Sequence, residues 1–347
     1  MKPILKWTGG KSTELDAIKL ALPTSYKRLI EPFLGGGAVF FDFENTASVV
    51  NDFNKELITF YEIIQTSEYQ QFKEIIEIAC AERKAVGSLP LSISNLDQII
   101  KDANSILDNT EYHSFVKREI NSKNKTIRRI NYINLTGGKS LLTDEEMSVQ
   151  YRTGIYASLY YMYRKMYNTK NLAKTYDIEH ISYWFIMREL AYSGMFRFSS
   201  KGNFNVPYGG ISYNTKDMSK KLTHIEKVIV KPFYNLAEFN NCDFEQFFIK
   251  YDYFTEDDFI FLDPPYDSEF SQYNVEEDFT RNDQERLRDV LLKTKAKIMV
   301  VIKETEYIKS LYEKDFNITT INKLYTVNFR NRHKEDQKVV HLVITNY

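Results

Sequence analysis

Three glycines in a row, Gly35 to Gly37, follow the short apolar run YKRLIEPF and open the segment AVFFDFE. A second apolar run, SVVND, comes next, and then the amphipathic stretch FNKELITFYEIIQ. A strand, a glycine turn, a helix and another strand in this order predict parallel pairing, because the helix carries the chain back to the starting edge. The same alternation returns near the C-terminus. DDFIFLD and AKIMVVI read as buried strands separated by the helical stretch RNDQERLRDVLLKTK, and NITTINKLYTVNF and KVVHLVITNY read as a final pair of strands. KVIV, residues 227–230, also reads as a buried strand.

Residues 67–150 are different in kind: polar, helix-prone and short of strand signals. Residues 151–193 are Tyr-rich and helical in pattern, and SGMFRFSSKGNFNVPYGG, residues 193–210, is rich in turn formers. The sequence therefore predicts an α/β fold with an inserted, mainly helical part. The core is formed by residues 1–66 and 225–347, and the insert by 67–224. A chain of 347 residues is long enough for two such domains.

Charge narrows little. Lys and Arg number 46 and Asp and Glu 47, for a net charge of -1, and a near-neutral total leaves the distribution to decide about nucleic acid. One stretch, KREINSKNKTIRRINY (residues 117–132), is locally basic. It reads equally as a set of phosphate contacts, with Arg128 and Arg129 as candidates, or as a solvated helix face. The 25 Tyr and 24 Phe fit either a core or base-stacking platforms. The two cysteines, Cys80 and Cys242, form no framework and no metal spacing with the five scattered His, so no metal is expected. No signal peptide and no apolar run of membrane-spanning length is evident, so a cytoplasmic protein with no membrane partner is expected.

KWTGGKST, residues 6–13, and LTGGKSLL, residues 135–142, both end like a phosphate-binding P-loop. That loop needs a glycine five positions before the Gly-Lys pair. Leu5 and Ile133 stand there, so a nucleotide triphosphatase is excluded. Residues 136–140 read as a turn between helices.

The Gly35–Gly37 turn is more informative. A glycine turn at a helix N-terminus lets a ligand approach the backbone and its unpaired N–H groups. Asp52, at the end of the second strand, stands where an acid accepts hydrogen bonds from a ribose diol. NAD and S-adenosylmethionine both carry that diol; the tight Gly-Gly-Gly differs from the spaced glycines of NAD sites. FIFLDPPY, residues 259–266, then decides. A buried strand ends in Asp263, and Pro264 and Pro265 fix the backbone without offering an N–H. The Pro264 carbonyl, the Asp263 carboxylate and the Tyr266 ring together suit a planar base with an exocyclic NH2. Two hydrogen bonds accepted from that nitrogen would make it more nucleophilic toward a sulfonium methyl.

KWTGGKS, EPFLGGGAVFF, NDFNKELI, FNVPYG and LDPPY, in this order and across nearly the whole chain, resemble the Dam family of DNA adenine-N6 methyltransferases. The resemblance implies a Rossmann-like S-adenosylmethionine-dependent methyltransferase domain and, in residues 67–224, a DNA target-recognition domain. It implies S-adenosyl-L-methionine as cofactor, double-stranded DNA as substrate and flipping of the target base. It further implies a restriction-modification or solitary-methylase role, with any cognate endonuclease a separate protein. Carried onto this sequence, it places Trp7, Lys11, Phe33, Gly35, Gly37, Asp52, Asp243, Phe244 and Asp263 at the cofactor. Asp263, Pro264 and Tyr266 would hold the flipped adenine. Residues 193–210 resemble the DNA-contacting hairpin, with Arg197, Lys201 and Asn205 toward DNA. Where relatives often have Arg-aromatic-Asn, this chain has Arg197-Phe198-Ser199.

Two other readings stay open on sequence. Asp-Pro-Pro-Tyr motifs also serve methylation of amide or RNA amino groups, and a degenerate relative would bind DNA without chemistry. A NAD oxidoreductase would leave DPPY unexplained.

Overall fold

The structure is a computed structural model that describes residues 1–7, 9–266, 279–324 and 338–347. In chain order the elements are α1 (Leu15–Leu20), β1 (Arg28–Glu31), α2 (Ala38–Phe43), β2 (Ser48–Asn51), α3 (Lys55–Gln65), α4 (Tyr69–Ser88), α5 (Leu96–Asn104), α6 (Thr110–Thr136), α7 (Asp144–Leu172) and α8 (Ile178–Leu190). They continue with α9 (Ser219–Ile229), α10 (Pro232–Asn235), β3 (Glu238–Asn240), α11 (Phe244–Lys250), β4 (Asp258–Leu262), α12 (Arg281–Leu291), β5 (Lys297–Lys303), α13 (Glu306–Tyr312), β6 (Asn317–Leu324) and β7 (Lys338–Thr345). Two compact units result: Met1–Gln65 with Ile225–Tyr347, and Thr66–His224.

The first unit is a mixed α/β fold around one seven-stranded sheet in the order β3-β2-β1-β4-β5-β7-β6. β1 pairs in parallel with β2 and β4, β2 with β3, and β4 with β5. β7 is antiparallel to both β5 and β6. The chain leaves β1 toward β2 on one side and β4 toward β5 on the other. The carboxyl ends of β1 and β4 therefore flank the point where strand order reverses, which is where open α/β sheets bind ligands.

Both sheet faces are covered. Ile30, Ile260, Leu262, Ile298, Val300 and Ile302 pack toward α11, α12 and α13, while Leu29, Phe259, Phe261, Met299 and Val301 pack with Ile18 and Val39. That explains why these strands read as unbroken apolar runs rather than alternating ones. At the opposite, amino end of the sheet, Arg28 and Asp258 are register partners. Arg28 donates from Nε (2.6 Å) and Nη2 (2.7 Å) to the two oxygens of buried Asp258. Burial alone would raise that carboxyl's pKa, but the guanidinium holds it below the usual carboxylate range.

One expected strand is absent. KVIV lies in α9 up to Ile229. Leu222, Ile225 and Val228 are its buried positions, a helical spacing that outweighs the β-branched doublet. Asp217 stops the preceding loop by accepting from Ser219 N–H at 2.9 Å. Conversely, the three-residue β3 is too short to show periodicity. The predicted strand 317–329 is β6 as far as Leu324, and its remainder lies outside the described residues.

The second unit is helical. α6 and α7 form a long antiparallel pair, and α6 buries Tyr112, Val116, Ile120 and Ile127 against its neighbours. Gly154 lets them approach closely: a Cβ there would stand 3.1 Å from Lys123 Cγ. Asn109 caps α6, and a Thr143–Glu146 capping box opens α7. The second TGGKS is the turn between these two helices.

Candidate active site

The loops after β1, β2 and β3 are tied together by one side chain. Asn51, the last residue of β2, is 1% exposed. Its Nδ2 donates to the carbonyls of Pro32 and Cys242, both at 3.0 Å, and its Oδ1 accepts from Cys242 N–H at 3.0 Å. Asp52 follows. One of its oxygens accepts from Gly35 N–H at 2.8 Å and the other from Asn54 N–H at 2.9 Å. The carboxylate is thereby oriented at the start of the glycine turn. Gly37, at φ +67°, is the N-cap of α2, a left-handed position that suits glycine.

Phe33, Phe244 and Phe279 form an aromatic cluster with ring centroids 5.6–5.7 Å apart. Asp243 caps α11 by accepting from Glu245 N–H and also pairs with Arg286 Nη2 at 2.8 Å, in both cases through Oδ1. Arg286 further binds Glu245 and Asp283 and lies over the Phe244 ring.

The N-terminal segment covers the glycine turn. A Cβ on Gly36 would stand 2.9 Å from Trp7 Cβ and 3.4 Å from the Leu5 carbonyl oxygen, and one on Gly35 would stand 3.0 Å from the Trp7 ring. Four residues after Trp7, Lys11 is 1% exposed. Its ammonium pairs with Asp263 Oδ1 and lies 3.1 Å from the Tyr266 hydroxyl. Asp263 and Tyr266 follow β4 directly. Pro265 O accepts from the buried Gln284 on α12 at 2.9 Å, while Pro264 O accepts no hydrogen bond among the described residues. His341 on β7 stands edge-on to the Tyr266 ring, 5.5 Å between centroids.

Glu31, the last residue of β1, is fully buried. Burial raises its pKa well above the ordinary carboxylate value. A backbone N–H from Phe40 works against that shift, and the negative charge of nearby Asp263 adds to it.

In the second unit, residues 191–208 form a short hairpin with antiparallel bridges Ala191–Tyr208 and Phe198–Phe204. Arg197 Nε donates to Asn205 Oδ1 at 2.9 Å across it, so these two candidates meet. Lys201 is exposed at its turn. α7 braces the hairpin: Asn168 donates to Phe204 O at 3.1 Å and accepts from Phe204 N–H at 2.8 Å, and Tyr160 donates to Val206 O at 2.8 Å. Arg128 and Arg129 are exposed on α6, alongside the opposite half of α7. The structure does not gather them with the hairpin.

Asn51, Gln284, Arg286 and His341 escaped the sequence reading. Only Asn51 left a signal, as the residue before Asp52; the others reach the site from elements far along the chain. Among the described residues no group of three His, Cys, Asp or Glu could hold a metal, and no helix is long and apolar enough to cross a membrane.

Comparison with known proteins gives one answer. A family model described as D12 class N6 adenine-specific DNA methyltransferase matches residues 7–327. Type II methyltransferase M1.LlaDCHI of Lactococcus lactis subsp. cremoris is 28% identical over 355 aligned positions, covering 100% of this chain and 96% of that protein. Type II methyltransferase M.CviBI of Paramecium bursaria Chlorella virus NC1A is 25% identical, with 100% of both chains covered. DNA adenine methylase of Haemophilus influenzae is 23% identical over 322 positions, 90% of this chain and 82% of that protein.

Proposed function

We propose that this chain, which belongs to the D12 class of N6 adenine-specific DNA methyltransferases, takes its methyl group from S-adenosyl-L-methionine and delivers it to an adenine flipped out of duplex DNA. The observation that carries this reading is the Asp263-Pro264-Pro265-Tyr266 turn at the carboxyl end of β4, beside the glycine turn that follows β1. The names of the relatives favour a Type II restriction-modification role, with the cognate endonuclease a separate protein.

The residues present fit that cofactor. A glycine turn packed under Trp7 offers backbone at close range. Asp52 is a carboxylate fixed by the Gly35 and Asn54 N–H groups beside the glycine turn, an acceptor for a diol. Lys11 is a buried cation for a carboxylate, and Phe33 and Phe244 give apolar walls to a purine, with Asp243 beside them. Bound there, the sulfonium supplies an electrophilic methyl group.

The chain's own work lies at the other side of the transfer. Asp263 and the Pro264 carbonyl accept hydrogen bonds from the two N–H groups of the adenine amine, so the nitrogen lone pair leaves conjugation with the ring. Tyr266 stacks on the base. The methylated amine would have one proton to lose; Asp263 and the Pro264 carbonyl would hold the N–H groups by hydrogen bond, and that proton would pass from the Asp263 side to solvent. Holding base and donor in line removes much of the entropic barrier. Lys11 bridges the two halves, since its ammonium already lies on Asp263 and Tyr266. In the second unit, Arg197, positioned by Asn205, reads a base edge or a phosphate, and Lys201 meets phosphate.

The test is long-read sequencing of genomic DNA from a methylation-deficient host with and without the gene, read for N6-methyladenine. A single new methylated motif is expected with the wild type and none with Asp263→Ala, whose purified protein should still bind S-adenosylmethionine. Methylation at the normal rate by Asp263→Ala would remove Asp263 from its role. No methylation by well-expressed wild-type protein would refute the reading.

A further inference from the structure

Between Tyr112 and Leu142 the chain holds seven Lys and Arg residues and a single acid, Glu119. Lys117, Arg118, Lys125, Arg128 and Arg129 are all exposed on α6. At about 100° per residue they fall within about a third of the helix circumference. Glu119 pairs with Arg118. Lys117, Lys125, Arg128 and Arg129 form no ion pair among the described residues. Asp144, Glu145 and Glu146 open α7; none of them forms an ion pair with the stripe among the described residues, and Glu146 is bound into its own helix cap, accepting from Thr143 N–H and Oγ1. A one-sided cationic stripe on a chain of net charge -1 is an unusual concentration, and a solvated helix face would gain more from mixed signs.

The stripe is also remote from the target hairpin. Asn124 on α6 lies level with Tyr151 on α7, joined by a 3.2 Å hydrogen bond. The hairpin is held at Asn168. At a rise of about 1.5 Å per residue, Tyr151 and Asn168 are about 26 Å apart along α7. B-DNA rises about 3.4 Å per base pair, so the same distance along a duplex is about 7 or 8 base pairs.

We infer that α6 is a second DNA-contacting surface, which holds the phosphate backbone of flanking duplex outside the methylated motif. This rests on the reading of the chain as a DNA methyltransferase and adds to it where the enzyme touches DNA. The contacts carry no sequence information. They set affinity for long DNA and let the enzyme stay on the duplex between sites.

The experiment compares duplexes of 12 and 30 base pairs centred on the motif that the sequencing experiment returns. Wild type and the triple variant Lys125→Gln/Arg128→Gln/Arg129→Gln are titrated in the presence of S-adenosylmethionine at 50 to 200 mM salt. A 12-mer reaches about 20 Å from its centre and stops short of Lys125, Arg128 and Arg129; a 30-mer passes them. Each phosphate contact adds about 0.9 to the logarithmic salt slope. Over a fourfold rise in salt the wild type should therefore lose about 40-fold more affinity for the 30-mer than the variant does. Affinity for the 12-mer, and methyl transfer to it, should be unchanged. The charge-keeping variant Arg128→Lys/Arg129→Lys should behave as wild type on both. Equal loss on both lengths, or no loss on the 30-mer, overturns the inference. Failure of the parent reading looks different: wild type then methylates neither duplex.

Discussion

Asn51→Asp changes one group in the candidate cofactor site and leaves its shape alone. The Oδ1 acceptor for Cys242 N–H is retained. The Nδ2 donor becomes an oxygen facing the carbonyls of Pro32 and Cys242, each at 3.0 Å. A buried acceptor that loses its donor costs about 1–3 kcal/mol, so the two together should cost about 2–6 kcal/mol. Some water access at the loop ends favours the middle of that range. For a unit of this size each kcal/mol lowers Tm by about 2–4 °C, so a fall of about 10 °C is expected. The same bonds hold the loop before the glycine turn and the loop before Phe244. Affinity for S-adenosylmethionine, measured by calorimetry well below the melting range, should fall at least about tenfold. Burial and two facing carbonyl oxygens raise the pKa of the new Asp above its usual value of about 3.9. Protonated, it regains one donor, so the deficit should shrink as pH falls and widen as pH rises through the folded pKa. A Tm within about 2 °C of wild type with unchanged cofactor affinity would show that Asn51 ties nothing together, and the account of these loops would fall.

Two other perturbations follow from the packing. Gly36→Ala places a Cβ 2.9 Å from Trp7 Cβ, a contact with no flexible end to yield, so the N-terminal segment must lift. Overpacking of this kind costs about 1–3 kcal/mol; cofactor affinity should drop about tenfold or more with the helical signal unchanged in circular dichroism, and unchanged affinity would place the Trp7 segment outside the cofactor site. At the other end of the sheet, Asp258 has a folded pKa depressed by Arg28. Its stabilisation is present above the unfolded value of about 3.9 and is lost as pH falls through the lower folded value. Asp258→Asn should therefore flatten the stability curve between about pH 5 and pH 2 in urea melts, and an unchanged acid limb would remove the pair from the stability of the sheet.

Local chemistry made much of the fold legible. The apolar runs of β1, β2, β4 and β5, the glycine turn and the helices between them carry their signal within a few residues, because a strand buried on both faces must be apolar throughout. Asp52 and Asp263 were readable as strand-end carboxylates for the same reason: they are the first acids after such runs. KVIV shows the limit. Three apolar residues after a lysine fit a strand or a helix face, and only the burial of Leu222, Ile225 and Val228 on one side of α9 decides. The two TGGKS copies show it more sharply, since one sequence has two fates. The first brings Lys11 into the core against Asp263, 252 positions away, and the second is an exposed turn between α6 and α7. What Lys11 meets, what Asn51 ties and what Gln284 braces are set by groups from distant parts of the chain. Sequence determined which residues could end a strand, turn a corner or face the core. The tertiary structure alone decided which polar groups met, because a hydrogen bond needs its partner within about 3 Å and that partner comes from wherever the sheet order has put it.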